Sequence, residues 1–536
     1  MGCHERRKIG TGKRLRPARP RQCCGAIRQS RCPQHGARRV QSSNRLRIIR
    51  GHENAPVIDV STQTPMVCSH YTHDGARVQS LVALRQSRRA CTAVQVAYHA
   101  GMIRNPLVAL LLLSITSPAH ARLTPPEQKI VAAADQGIPA DIALLEKLVA
   151  QNSGTRNLDG VKKVRDMVAP EFAAIGFTTR WVPMDAVHRA GHLIATHVGT
   201  PGTTRMLLIG HLDTVFEPSS PFQSWAREGD TLHGPGASDD KGGVVVMLAA
   251  LRAMQAAGTL AHANIVAVLT GDEEAAGEPV SVARADLVAA AAHADVALDF
   301  EGLAVEGGQD YGSIARRSAA SYTITASGKS SHSGQIFSPA VGDGAVYELS
   351  RIITAFREQL PEPDLTFNIG LIAGGATVTT SPDDAQMTAT GKTNIVPPIA
   401  IAHGDFRALT QDQIDRVKAR MVAIVARHLP QTDARIMFDE GYPPMAPTPG
   451  NRALLDRLNA INADLGLTPM PVLDPLKRGA GDISFVAAQV DGLVGLGPAS
   501  RGDHTPEERV DLASFPRQIK RAAILMTRLA GTSVHR

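Results

Sequence analysis

The stretch Met206-Leu207-Leu208-Ile209-Gly210-His211-Leu212-Asp213 is a short apolar run that ends on an imidazole and a carboxylate. A run of this length beside a glycine reads as a strand buried on both faces. Similar runs lie at Leu193–His197, Ile265–Leu269, Val296–Leu298 and Leu493–Leu496. Elsewhere the spacing changes: Val244, Met247, Leu248 and Leu251 fall at i, i+3, i+4 and i+7, and Gly258 supplies the stop, which predicts a helix. Strands alternating with helices predict an α/β layer around a mostly parallel sheet.

Four of these strands run directly into groups capable of chemistry. Met206–Gly210 leads into His211 and Asp213, Ile265–Thr270 into Asp272-Glu273-Glu274, Val296–Phe300 into Glu301, and Leu493–Gly497 into a loop carrying His504. Open α/β sheets bind ligands beyond the carboxyl ends of their strands, so these distant segments are predicted to converge.

Working outward, Thr124-Pro125-Pro126-Glu127 combines an N-cap, a first-turn proline and a Glu at N3. It predicts a helix start, with an interruption near Gly137 and a continuation through Leu144 to Val149. From Ile314 to Phe438 the texture changes. Ser321–Ala326 alternates, Val346–Phe356 and Ile414–His428 are helical, and Thr366–Ile372 and Thr393–Arg407 read as strands. This order suits an antiparallel α+β unit inserted into the first. The domain reading is therefore 122–313 and 439–536 as two parts of one catalytic domain, with 314–438 inserted between them.

Charge separates the chain again. The 536 residues carry 57 Lys+Arg against 50 Asp+Glu, a formal charge of +7, but residues 1–101 alone hold +15 and residues 102–536 hold −8. All six cysteines (Cys3, Cys23, Cys24, Cys32, Cys68 and Cys91) also lie in the first segment. The remainder can form no disulfide and no thiolate metal site, which excludes cysteine proteases, zinc fingers and iron–sulfur proteins there. Residues 1–50 show no apolar period. A basic arm for nucleic acid is one reading of this segment, but no aromatic residues interleave the arginines, and nothing in the remainder points to nucleic acid.

A second explanation begins at Met102. Arg104, the apolar run Leu107–Ile115 and Ala119-His120-Ala121 have the form of a secretory signal, too short for a stable membrane span. Translation from Met102, with 1–101 upstream and 102–121 removed, predicts a periplasmic or secreted protein. A buried helix at 106–116 is the alternative.

His211, Asp239, Glu274, Glu301 and His504 together form two imidazoles and three carboxylates without a thiolate. That set suits zinc and also accepts cobalt or manganese. Two divalent ions balance three carboxylates and one hydroxide, so the charge count favours two metals. Asp239 sits in Gly234-Pro235-Gly236-Ala237-Ser238-Asp239-Asp240-Lys241-Gly242-Gly243, where glycines permit close backbone approach before a helix. A phosphate loop is the rival reading, but neither the P-loop spacing nor the dinucleotide fingerprint is present.

These segments, with Asp299-Phe300-Glu301 and Asp503-His504-Thr505-Pro506-Glu507, resemble the five motifs of the M20 metallopeptidases. That family includes glutamate carboxypeptidase, acetylornithine deacetylase, succinyl-diaminopimelate desuccinylase and aminoacylase. The resemblance extends over essentially all of 122–536. It implies that Asp239 bridges two zinc ions, that His211 and Glu301 complete one and Glu274 and His504 the other, and that Asp213 orients His211. It further implies a cis peptide at Asp239-Asp240 and Glu273 as the general base. By the same resemblance the inserted unit 314–438 serves as a lid and dimerisation domain, and His332, in Ser331-His332-Ser333-Gly334, stabilises an oxyanion, often from the neighbouring subunit of a dimer. Asn394 and Arg407 match positions that contact the substrate, with Arg suited to a carboxylate. Gly481 falls where relatives line the substrate pocket, but Arg478-Gly479-Ala480-Gly481-Asp482 departs from the usual Gly-Gly-x-Thr-Asp-like pattern.

The resulting expectation is an exported, dimeric, di-zinc amidohydrolase that cleaves a peptide or N-acyl amino acid bearing a free carboxylate, in the manner of a carboxypeptidase or dipeptidase. An acetylornithine-type deacylase is the alternative within the enzyme class. A catalytically inactive, metal-dependent peptide-binding protein is the alternative outside it.

Overall fold

The computed structural model describes residues 123–381 and 384–532. The basic segment 1–101 and the signal-like segment 102–121 lie outside the described residues. Numbering the principal elements in chain order, α1 (Pro125–Val149) and α2 (Leu158–Ala174) precede β1 (Thr178–Met184), β2 (Arg189–His197) and β3 (Arg205–His211). Then come α3 (Lys241–Ala257), β4 (Asn264–Thr270) and β5 (Val296–Asp299). A second group follows: β6 (Ala320–Gly328), α4 (Ala345–Gln359), β7 (Thr366–Gly375), β8 (Ile399–Arg407), α5 (Gln411–Val425) and β9 (Thr432–Phe438). The chain closes with α6 (Pro449–Asp464), β10 (Gly492–Val494) and α7 (Phe515–Ala530).

The central sheet has the order β1-β2-β4-β3-β5-β10. Three neighbouring pairs, β4 with β3, β3 with β5 and β5 with β10, are parallel, and the two outer pairs are antiparallel. The apolar runs are explained by burial on both faces. Met206 and Leu208 join Leu269, Leu298 and Leu493 in the core beneath α1, α3 and α7. Leu207 and Ile209 point the other way and join Val268, Ala297, Val494, Leu287 and Ile483. Alternate residues of one strand thus fill two cores, as the period of two demands.

At α1, Glu127 accepts a hydrogen bond from the Thr124 backbone N–H at 2.7 Å while Thr124 Oγ1 accepts from Glu127 N, completing a capping box. The expected interruption at Gly137 is absent: one helix runs through both Gly137 and Pro139. Such residues disfavour a helix interior by about 1 and 3 kcal/mol, and packing of Ile130, Ala134, Ile142, Leu145 and Leu148 into the core outweighs them. Helix α3 ends where expected, with Gly258 left-handed at φ +78°.

The second group forms a four-stranded sheet, β7-β8-β6-β9, antiparallel throughout. Helices α4 and α5 cover one face, so that Tyr322, Ile324, Ala402 and Phe406 pack with Leu349, Ile352, Phe356, Val417 and Met421 as a separate apolar cluster. The strand expected over Thr393–Arg407 begins only at Ile399. Pro397 and Pro398 lack the N–H that a ladder needs, and Ile395-Val396 pair instead with Ser331-His332. The chain enters and leaves this group through segments bridged at Arg316↔Met445 and Ala319↔Tyr442.

Candidate metal centre

Each donor is placed by the end of an element. His211 is the last residue of β3, opposite Thr270 of β4, and is 1 % exposed. Its Nδ1 stands 3.1 Å from the Asp213 carbonyl and its Nε2 2.9 Å from Asp239 Oδ1. An Nδ1–H donated to that carbonyl leaves Nε2 as the coordinating atom. Asp239 ends the glycine-rich turn before α3, and the Asp239-Asp240 peptide is cis. Its other oxygen, Oδ2, lies 3.0 Å from His504 Nε2, which is also 3.1 Å from Glu274 Oε2. His504 holds a left-handed backbone, φ +63°, uncommon for a residue with a Cβ. Donor atoms of His211, Asp239 and Glu274 all fall within 4.8 Å of one another.

Four of the five expected ligands therefore meet around one carboxylate. The contact that Glu301 makes is with an arginine instead: its Oε2 is held by Arg316 Nη1 at 2.5 Å. The donor set still fits divalent cations. Two imidazoles address separate oxygens of Asp239, and Glu274 Oε1 is buried without a hydrogen-bond partner among the described residues.

Electrostatics point the same way. Burial opposes the charged form of Asp239, yet hydrogen bonds to His211 and His504 hold its pKa far below the usual carboxylate range. Hydrogen bonds to Asp239 and Glu274 push His504 up to about 11. Burial and the Asp239 charge raise Glu274 to about 7. For Glu273, burial leads, with Glu301, Glu274 and Asp482 adding, and the carboxyl is raised well above its ordinary value. Burial and the mutual repulsion of these carboxylates favour positively charged partners at the site.

Asp213 does more than face His211. Its Oδ1 accepts from Glu273 N at 3.0 Å, and its Oδ2 accepts from Glu274 N at 3.1 Å and from Thr155 Oγ1 at 2.6 Å. One buried carboxylate thus fixes the turn that carries Glu273 and Glu274. The remaining expected residues lie outside this cluster. His332 is exposed, with Nδ1 accepting from Gly334 N at 3.1 Å. Asn394 is exposed, and its carbonyl accepts from Ser333 N. Arg407, at the end of β8, pairs loosely with Asp405 at 3.4 Å. Gly481 lies against the Arg316 guanidinium and Glu301, leaving no room for a Cβ.

The sequence reading missed several participants. Glu508 is buried and accepts from the backbone N–H groups of Ser238 and Asp239 at 2.9 and 3.2 Å, fixing the turn behind the shared carboxylate. Tyr442 donates to the Glu273 carbonyl at 2.6 Å. Arg284, fully buried, binds Asp272 at 2.6 Å and Asp482 at 2.7 Å. The signals available were weak: a Glu four residues after His504, and an arginine inside an otherwise apolar segment.

Comparison with known proteins places this geometry. Carboxypeptidase G2 of Pseudomonas sp. (strain RS-16) is 28 % identical over 400 residues, covering 72 % of this chain and 89 % of that protein. Succinyl-diaminopimelate desuccinylase of Variovorax paradoxus is 25 % identical over 391 residues, covering 70 % and 94 %. The Bacillus subtilis YxeP protein, a dinuclear metal binding peptidase, superposes with a TM-score of 0.52 at 14 % identity, covering 74 % of this chain and 99 % of that one. The family model for peptidase family M20/M25/M40 matches residues 207–528, a span that contains all five expected ligands. The chain therefore belongs to peptidase family M20/M25/M40, metal-dependent hydrolases of peptide or amide bonds.

Proposed function

We propose that this chain is an exported carboxypeptidase- or dipeptidase-like hydrolase that uses two zinc ions to cleave peptides or N-acyl amino acids with a free carboxylate. The observation that carries this reading is the pair of imidazoles, His211 and His504, each addressing its own oxygen of Asp239. In this reading Asp239 is shared, His211 and Glu301 serve one ion, and Glu274 and His504 serve the other. Bound divalent ions supply polarisation of the carbonyl and a water whose pKa lies near neutrality.

The chain's own groups do the rest. Glu273 takes the proton of the attacking water at its carboxylate and returns it to the departing amine, a role favoured by burial and by the neighbouring carboxylates, which raise its proton affinity. Asp213 keeps Glu273, Glu274 and His211 in register. Arg407 receives the substrate carboxylate by a forked contact, Asn394 assists it, and His332 stabilises the oxyanion from a second copy of the chain. Exposed Phe337, Tyr347 and Ile372 on the inserted unit support such a dimer.

A hydrolysis screen of dipeptides and N-acyl amino acids, with chelation and zinc add-back, tests the reading. Turnover that survives full chelation, or none on any of these substrates with zinc restored, overturns it. Export rests on residues 102–121; finding the native protein to begin before Met102 overturns that part. Among the described residues no helix is long and apolar enough to cross a membrane.

A further inference from the structure

Beside the metal centre stand two arginines with opposite circumstances. Arg316 is fully engaged: it donates to the carbonyls of Gly479 and Ala480 at 2.6 and 2.5 Å, to Glu301 at 2.5 Å and to Asp299 at 3.3 Å. Arg478 is not. Its Nη2 donates to the Gly302 carbonyl at 2.6 Å, and Glu301 Oε2 lies 4.0 Å away, beyond hydrogen-bond reach. Nε is buried without a partner among the described residues, although only 16 % of the side chain is exposed. A guanidinium carries five donors, and leaving charged donors desolvated and unpaired is unfavourable unless an anion completes them.

Two further facts say where that anion comes from. Arg478 borders the centre: its Nη2 is bonded to the carbonyl of Gly302, the residue after Glu301, and lies 4.0 Å from Glu301 Oε2. Arg407, arriving from the second sheet, reaches the same turn: a methyl group on Gly479 would lie 3.4 Å from its Nη1. Guanidiniums from both units therefore flank residues 478–479. If Glu301 serves a cation, as proposed above, Arg478 is left without a carboxylate of its own.

We propose that Arg478 is a specificity-determining residue that receives a second carboxylate of the substrate, in addition to the one assigned to Arg407. This inference rests on the proposed function and deepens it: the preferred substrate is a dicarboxylic N-acyl amino acid or peptide. The planar fork of arginine matches a carboxylate with two parallel hydrogen bonds, which a lysine cannot reproduce.

The test compares the zinc-loaded full chain with Arg478→Ala and Arg478→Lys on three substrates. N-acetyl-L-methionine has one carboxylate, N-acetyl-L-glutamate carries a second on the amine side, and N-succinyl-L-methionine carries a second on the acyl side. The wild type should favour one diacid in kcat/KM, and the favoured one identifies the side. Arg478→Ala should reduce that diacid-to-monoacid ratio by about 10- to 100-fold, mainly through KM, with Arg478→Lys retaining part of it. A ratio in Arg478→Ala within about threefold of wild type, or no diacid preference in wild type, overturns the proposal. So does a loss of bound zinc that tracks the loss of ratio, since Arg478 would then act through Glu301.

Calorimetry decides the question without turnover. Glutarate should bind the wild type about tenfold or more tighter than butyrate, and the two should bind Arg478→Ala alike. Equal binding to the wild type, or collapse of the difference only in Arg407→Ala, overturns the assignment. If no substrate is hydrolysed, the proposed function fails and the calorimetric arm still rules on Arg478.

Discussion

His211 and Asp213 are 1 % and 0 % exposed, and both oxygens of Asp213 accept hydrogen bonds, whereas Arg407 leaves 41 % of its side chain open and holds only a 3.4 Å contact with Asp405. The first pair belongs to the carboxyl ends of the central sheet, the second residue to the inserted unit, as do exposed His332 and Asn394. Both groups are assigned to one reaction. On the function proposed above, the contrast means that the metal-binding half is organised before a substrate arrives, while the half proposed to grip the substrate would be completed only as ligand or a partner copy covers it.

Glu273→Gln gives the sharpest test of the organised half. It should lower kcat by about a thousandfold while zinc content, by atomic absorption, stays at the wild-type level. Near-normal kcat would remove Glu273 from its role. Asp213→Ala should weaken zinc binding by about 10- to 100-fold in chelator competition, because the backbone N–H groups of Glu273 and Glu274 and the Thr155 hydroxyl lose their common acceptor, while the carbonyl that holds the His211 ring remains. On the open half, Arg407→Ala should raise KM about tenfold with little change in zinc content or melting temperature. A collapse of stability instead would show that Arg407 belongs to the rigid group after all.

The smallest effect concerns a buried carboxylate distant from the reaction. Burial, offset by Arg252, raises Asp141 to about 6. The folded chain then binds this proton more tightly than the unfolded chain. Its contribution to stability is complete below the ordinary value near 3.8 and is lost as pH rises through about 6. The melting-temperature difference, wild type minus Asp141→Asn, should therefore fall between pH 4 and pH 7. A difference that is flat or rises over that range would contradict the assignment.

Much of the central sheet was legible because its strands bury both faces and so carry unbroken apolar runs: β3, β4 and β5 each lie within a residue or two of the positions expected at Met206–Ile209, Ile265–Leu269 and Val296–Leu298. Most of the expected donors were locatable for a related reason, since His211, Glu274, Glu301 and His504 lie at or beyond strand ends, whereas Asp239 was marked by the glycine-rich turn before a helix. Glu301 was only half legible. Its place after β5 is local, but its bond to Arg316 depends on a segment entering the other sheet, and no local pattern encodes that meeting. The continuous α1 through Gly137 and Pro139 was hidden likewise, because the packing that overrides propensity comes from α3 and α7. Conversely, Pro397-Pro398 was a local signal of a strand break that the reading of Thr393–Arg407 passed over.

Strand β10 pairs with β5 through Val494 and Asp299, yet residues 300–491 lie between them. During synthesis the growing chain must therefore hold an open sheet edge at β5 while the whole inserted unit is made. That edge is apolar on both faces and offers unsatisfied backbone groups to any passing strand. Aggregation should consequently be most severe for chains truncated before Gly492, in which that edge never finds its partner.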